Sequence, residues 1–260
     1  MGKLRMKLTR TKEEVEERTR RYAGGYKLSN ASMIIAMFTT TEDAIREIVP
    51  PPLEPGPILM ASAYVAEFRE SNFCPPYNEA AVFLPVQYKG EAGSYCVSMP
   101  VDNDLAMIGG REIYGYPKKI AESISVERTG DTAKGICIRR GIPIIEIEVT
   151  LTDVMEERSP QGPHFLVKSI LDERGLGVGM KPLLVRQQNR TELQKLEIGE
   201  GTVTFHESQY DPLHQIPIVD VMMVSYTEGA TITMPFGEIV AELDSDDYGL
   251  YHFIKYDWNP

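Results

Sequence analysis

The chain has 260 residues, with 27 lysines and arginines against 38 aspartates and glutamates and a formal charge of −11. Its composition, 42% hydrophobic and 25% charged, is that of a globular protein able to bury a sizeable core, which argues against disorder. No run approaches the roughly 18–20 apolar residues of a membrane-spanning helix, and the acidic balance argues against duplex nucleic acid as the main partner. Met1 to Arg21 is charged throughout and lacks the apolar stretch of a secretory signal. Cys74, Cys96 and Cys137 form an odd, widely spaced set without a CxxC pair, so a reducing, cytoplasmic setting is expected. His164, His206, His214 and His252 lack metal-ligand spacing, and no metal is expected.

The first predicted element is a short charged helix over about 11–21. Thr11 and Glu14 have the spacing of a capping box, each side chain satisfying the other residue's backbone amide. Residues 33–38 are an apolar run of strand length. Thr40 or Asp43 then caps a helix over 44–49, which Pro50-Pro51-Pro52 stops because proline lacks the amide a helix needs. From residue 58 the pattern becomes strand-like, with strands predicted over 61–68, 80–88 and 94–101. A short helix over 102–112 follows, capped by Asn103 or Asp102. Further strands are predicted over 119–127, 133–139, 142–151, 164–171, 183–188, 201–205, 218–226 and 231–234. Short strands with turn signals roughly every 8–12 residues point to a sandwich or barrel. The simplest reading is a single α+β domain over 1–260, mainly antiparallel sheet.

The informative stretch is Gly110-Arg111-Glu112-Ile113-Tyr114-Gly115-Tyr116-Pro117-Lys118-Lys119-Ile120-Ala121-Glu122. Successive strand residues face opposite sides. Lys118 then shares a face with Ile120, Glu122, Ile124 and Val126, while Lys119 shares the other with Ala121, Ser123, Ser125 and Glu127. The first face is mostly apolar, so Lys118 is expected to point inward with Glu122 as the only acid beside it. A lysine in an apolar interior loses hydration, which disfavours its ammonium form and lowers its pKa from about 10.4. The free amine is a nucleophile toward ketones. Taken alone, two lysines after a proline read more often as a solvated turn, because lysine is rarely buried.

This stretch resembles the active-site segment of the acetoacetate decarboxylase family. Thr41 to Glu54 resembles the family's early helix with its VPxPLE ending. Glu79 to Pro85 is similar to its acidic residue ahead of a proline-containing strand, and Asp211 to Pro217 resembles its late PLxxLP loop. The resemblance implies a cone-like β-barrel with a few peripheral helices, assembled into homo-oligomers. It also implies that Lys118 forms a Schiff base, that Lys119 neighbours it in the site, and that Glu79 is the acid there. These three are the catalytic candidates. Tyr116, Arg111 and Glu122 are the candidate substrate contacts. Their plainer alternatives are a packing aromatic, a local ion pair with Glu112, and a strand-edge acid in water. The chain departs from the family at two positions, with Ala31 where the family has an arginine and Ser62 where it has a glutamate, and it continues past the family's usual end as a C-terminal extension over about 242–260.

The chemistry implied is a lyase reaction on a small keto acid. The lysine amine adds to the ketone and loses water, and the resulting iminium accepts the electron pair left as CO2 departs. No metal or organic cofactor is required. The missing arginine turns attention to alternatives: aldol or dehydration chemistry through the same iminium, or a non-catalytic barrel that binds a small ligand.

Overall fold

The computed structural model describes residues 9–155 and 161–257. The last three residues of the expected C-terminal extension lie outside them. Alternating apolar side chains set the architecture. In chain order the strands are β1 (Tyr26–Thr39), β2 (Glu54–Pro55), β3 (Met60–Ser71), β4 (Tyr77–Tyr88), β5 (Glu91–Val101), β6 (Lys118–Ile120), β7 (Ser123–Thr129) and β8 (Thr132–Arg139). There follow β9 (Ile142–Met155), β10 (His164–Lys168), β11 (Leu183–Gln187), β12 (Arg190–Glu192), β13 (Leu196–Thr204), β14 (Asp220–Met234) and β15 (Glu238–Glu242). The helices are short: α1 (Lys12–Arg21), α2 (Glu42–Ile48), α3 (Asp104–Gly109) and α4 (Ser245–Gly249). None among the described residues is long and apolar enough to cross a membrane. The capping box is present on α1: the Glu14 amide donates to Thr11 Oγ1 at 3.3 Å, and the Thr11 amide to Glu14 Oε2 at 2.9 Å.

Among the described residues the strands form one 15-stranded sheet. It is antiparallel except where β5 pairs in parallel with β6 and with β10. Its main path runs from β15 to β7, and no ladder joins those two ends. The expected barrel is therefore not closed. β7 instead lies back over β3 and β4, where the Val126 amide donates to Glu67 Oε1 at 3.1 Å and Asn78 Nδ2 donates to the Ile124 carbonyl at 2.9 Å.

β4 sits deep in this sheet and is buried on both faces. Ala80, Val82, Leu84 and Val86 point into the main core with Ile34, Phe38 and Ile145. Each large side chain so placed contributes about 1.5–3 kcal/mol. Tyr77, Glu79, Ala81 and Phe83 point the other way. Ala81 and Phe83 join a smaller cluster with Cys96, Met99, Tyr114 and Tyr116.

Several sequence expectations change. The helix expected over 102–112 ends at Gly109 and passes into a π-helical turn, Gly110–Tyr114. The two strands expected within 218–234 are the single long β14, which pairs with β1 through several bulges. The strand expected over 119–127 is two. Its backbone changes partner at one point: the Ala121 amide donates to Val101 in β5 at 2.8 Å, and the next amide, Glu122, donates to Ile138 in β8 at 2.9 Å.

Candidate active site

Glycines deliver the Lys118 side chain to its position. The π turn ends at Gly115, whose φ is 97°. A Cβ there would also meet the Val167 backbone at 2.8 Å, so glycine is required twice over. The amides of Gly115 and Tyr116 both donate to the Gly110 carbonyl, at 3.0 and 3.1 Å. The chain is thereby turned so that Lys118, Lys119 and Ile120 lie beside Met99, Pro100 and Val101. The Lys118 side chain then runs directly over Gly110, where a methyl group would overlap its Cδ and Cε.

Lys118 is 5% exposed, and its Nζ pairs with Oε2 of the buried Glu79. Two tyrosines complete the carboxylate. The Tyr64 hydroxyl donates to Oε1. The Tyr77 hydroxyl donates to Oε2 at 3.4 Å, and the Tyr77 ring centroid lies 5.3 Å from the lysine nitrogen. Burial first, and the Glu79 charge second, push both hydroxyls well above the usual tyrosine range, so they remain donors. In this pair burial works against the charges and their mutual attraction works for them. Either charge alone would be uncompensated in the interior. A cavity of about 20 Å³ opens beside Lys118, walled by Tyr26, Phe73, Gly110, Tyr114 and Met234 among others. Lys118 is the only cation in that lining.

Tyr116 also lines this cavity. Its hydroxyl lies 3.1 Å from Gln187 Oε1 and 2.8 Å from His164 Nδ1. The Gln187 amide nitrogen donates to the Pro235 carbonyl and to Asn189 Oδ1, which fixes its oxygen toward Tyr116. Tyr116 therefore donates to Gln187, and His164 Nδ1 carries the proton donated to Tyr116. Burial holds the His164 imidazole down at about 4, so it stays neutral.

The other candidates lie elsewhere. Lys119 turns to the opposite side of β6, where its Nζ meets Asp211 at 2.9 Å and Asp257 at 3.6 Å. The Arg111 guanidinium stacks on Tyr256 at 4.6 Å and donates to the Lys255 carbonyl at 3.0 Å and the Lys118 carbonyl at 3.4 Å. It is not part of the cavity lining. Glu122 was expected inward beside the amine; it is exposed and accepts from the Gly141 amide at 3.0 Å. The inward face expected for this strand is lost before the partner change at Ala121 is reached. Ile120, two residues from Lys118, is already 44% exposed.

Sequence reasoning missed Tyr64, Tyr77, His164, Gln187 and Gly110. Tyr77 had a signal, since it stands two residues before Glu79 and so shares its face on a strand. Tyr64 shares a face with Ser62 in the same way. His164 and Gln187 meet Tyr116 only through the tertiary fold. Ala31, expected at the family's arginine position, is fully buried among Leu28, Phe68 and Tyr77, and Ser62 is half-buried opposite Phe83.

A model of the family described as "Acetoacetate decarboxylase (ADC)" matches residues 13–243. The chain belongs to the acetoacetate decarboxylase family. Among curated relatives it is 26% identical over 227 residues to the acetoacetate decarboxylase of Paraburkholderia phytofirmans, covering 84% of this chain and 86% of that one. Among solved structures, the acetoacetate decarboxylase of Legionella pneumophila superposes with a TM-score of 0.73 at 25% identity, covering 85% of this chain and 88% of that one. The enduracididine biosynthesis enzyme MppR, complexed with the condensation product of pyruvate and imidazole 4-carboxaldehyde, shares the fold. Its TM-score is 0.71 at 19% identity, with 84% of this chain and 89% of that one covered. The family match stops just before α4, so the segment from Ser245 to Asp257 lies outside it.

Proposed function

We propose that the protein is a Schiff-base-forming lyase that decarboxylates a small keto acid through Lys118. The observation that carries this reading is a buried lysine bonded to a buried carboxylate at the wall of an otherwise uncharged cavity. Proton transfer from the ammonium to Glu79 Oε2 frees the amine, which attacks the substrate ketone. Loss of water gives an iminium. The electron pair of the breaking carbon–carbon bond moves onto the iminium nitrogen as CO2 departs, leaving an enamine. Glu79 gives that proton back as water leaves in forming the iminium, so the enamine carbon takes its proton from solvent, and hydrolysis of the resulting iminium releases the ketone and restores the Lys118 ammonium beside the Glu79 carboxylate. Tyr64 and Tyr77 hold the carboxylate throughout. Lys119 is not the neighbour amine in this scheme, because its charge is shared with aspartates on the other side of the strand.

Ala31 and Ser62 favour a second reading. With no guanidinium in the cavity lining, a substrate carboxylate lacks the bidentate partner that usually holds it. The same iminium would then serve aldol addition or dehydration, a direction also suggested by the condensation product bound to MppR. The free state of all three cysteines supports a reducing, cytoplasmic setting, and exposed Leu105, Ile108 and Ile120 support self-association.

Borohydride trapping across a panel of α- and β-keto acids, read by intact mass and peptide mapping, tests the lysine chemistry. A reduced adduct on Lys118 is expected. CO2 release and product analysis on the same panel separate decarboxylation from condensation. No adduct with any keto acid would leave a non-catalytic small-ligand-binding protein as the surviving reading.

A further inference from the structure

β6 is only three residues long and pairs in parallel with β5, an arrangement that is weak by itself. Each of its residues is held from the outside. The Lys118 carbonyl accepts from Arg111 at 3.4 Å. Lys119 Nζ meets Asp211 at 2.9 Å and Asp257 at 3.6 Å. The Ile120 carbonyl accepts from Arg139 Nη1 at 2.5 Å.

Each of these holders leads to the segment beyond the family match. Arg111 also donates to the Lys255 carbonyl and lies over the Tyr256 ring. Arg139 pairs with Asp211 at 2.7 Å and, through Nη2, with Asp257. Arg140 pairs with the second Asp257 oxygen at 2.7 Å. The segment is itself anchored deep in the protein. Tyr248 is 1% exposed in the main core. Lys255 Nζ donates to the Val167 carbonyl at 2.7 Å and to Ser169 Oγ at 3.1 Å. His252 Nδ1 lies 2.7 Å from the same Ser169 hydroxyl.

We infer that Tyr256 and Asp257 are positioning residues for Lys118: docked from outside the sheet, they brace the strand that carries the amine. The inference rests on the reading of Lys118 as the reactive amine. Three cations (Lys119, Arg139 and Arg140) share two carboxylates (Asp211 and Asp257). Asp257 is the member that reaches all three cations. Charge-assisted bonds of this kind are directional, so they fix the strand in place as well as attaching the tail. A shift of about 1 Å in a reacting group can cost about 100-fold in rate.

The test uses Asp257→Asn, Asp257→Glu and Tyr256→Ala in the full chain. Asp246→Asn, an exposed charge in the same segment, is the control. Amide hydrogen exchange of a peptide covering 115–125 reads the brace without requiring activity. Borohydride trapping of Lys118 reads its consequence. In Asp257→Asn we expect faster exchange in that peptide and trapping slowed about 10-fold with unchanged circular dichroism. Asp257→Glu restores part of the rate, Tyr256→Ala behaves like Asp257→Asn, and Asp246→Asn behaves like the parent. Native exchange in Asp257→Asn, or faster exchange with native trapping, overturns the inference. If the parent chain is trapped by no keto acid, the lysine chemistry fails instead. The exchange result then still decides whether the segment braces the strand.

Discussion

Lys118 and Lys119 are neighbours in the chain and occupy opposite electrostatic environments. On the inner side one ammonium meets one carboxylate, two tyrosine hydroxyls support that carboxylate, and a small cavity adjoins them. On the outer side three cations share two aspartates, and the space is filled by the Tyr210 carbonyl and the C-terminal segment. The pleat of a three-residue strand separates the two. Lysine identity therefore says little about role here. What matters is whether a cavity lies next to the amine and how many carboxylates compete for it.

The contrast can be broken from either side. Lys118→Met should abolish the borohydride adduct entirely, and intact mass after reduction with a keto acid would show this. An adduct that persisted on another lysine would place the reactive amine elsewhere. Gly110→Ala should come next in size. Its methyl group falls on the Lys118 side chain, which must move, and roughly 100-fold slower trapping is expected with a near-native circular dichroism spectrum. Lys119→Met should reverse the pattern. The adduct still maps to Lys118 and forms no more than about 10-fold more slowly, while unfolding by urea shows a loss of about 2 kcal/mol for the missing charged bonds.

The outer side also carries a pH dependence. Burial, with the nearby Arg111 charge second, lowers Lys255 from 10.5 to about 7. Between those values the unfolded chain holds a proton that the folded chain lacks, so stability rises with pH across that window and is lost as pH falls toward 7. His252, lowered from 6.5 to about 4 chiefly by burial, adds a second loss between those values on acidification. Lys255→Met should flatten the upper window only. Urea unfolding between pH 5 and 10 would check both.

Many strand positions were legible because alternation and turn residues are local signals. The capping box on α1 and the run from Gly110 to Lys119 were legible for the same reason. Lys118 does point inward, but Ile120 and Glu122, whose shared face was the reason to expect it, do not. The outward direction of Glu122 was not legible, because Ile120 on the same expected face already turns out and the Ala121 and Glu122 amides then find Val101 and Ile138, residues from two different strands. Arg111 read as a substrate contact because its neighbours in sequence are site residues; its actual partners, Lys255 and Tyr256, come from a segment far along the chain. Tyr64 stayed invisible because nothing local marks a strand tyrosine as the donor to a carboxylate on the next strand.

The two sides of β6 also differ in how much chain must be looped to close them. On the inner side, Tyr64 and Glu79 are 15 residues apart, and Glu79 and Lys118 are 39 apart. On the outer side, Lys119 and Asp211 are 92 apart, Arg139 and Asp257 are 118 apart, and Arg111 and Lys255 are 144 apart. Each doubling of loop length adds about 0.6 kcal/mol to the entropy lost on closure, so the outer contacts are the more dearly closed. Synthesis imposes the same order, since a growing chain contains Tyr64, Glu79 and Lys118 well before it contains Asp257. On the ribosome, the amine can meet its carboxylate before the residues that hold its strand have been made.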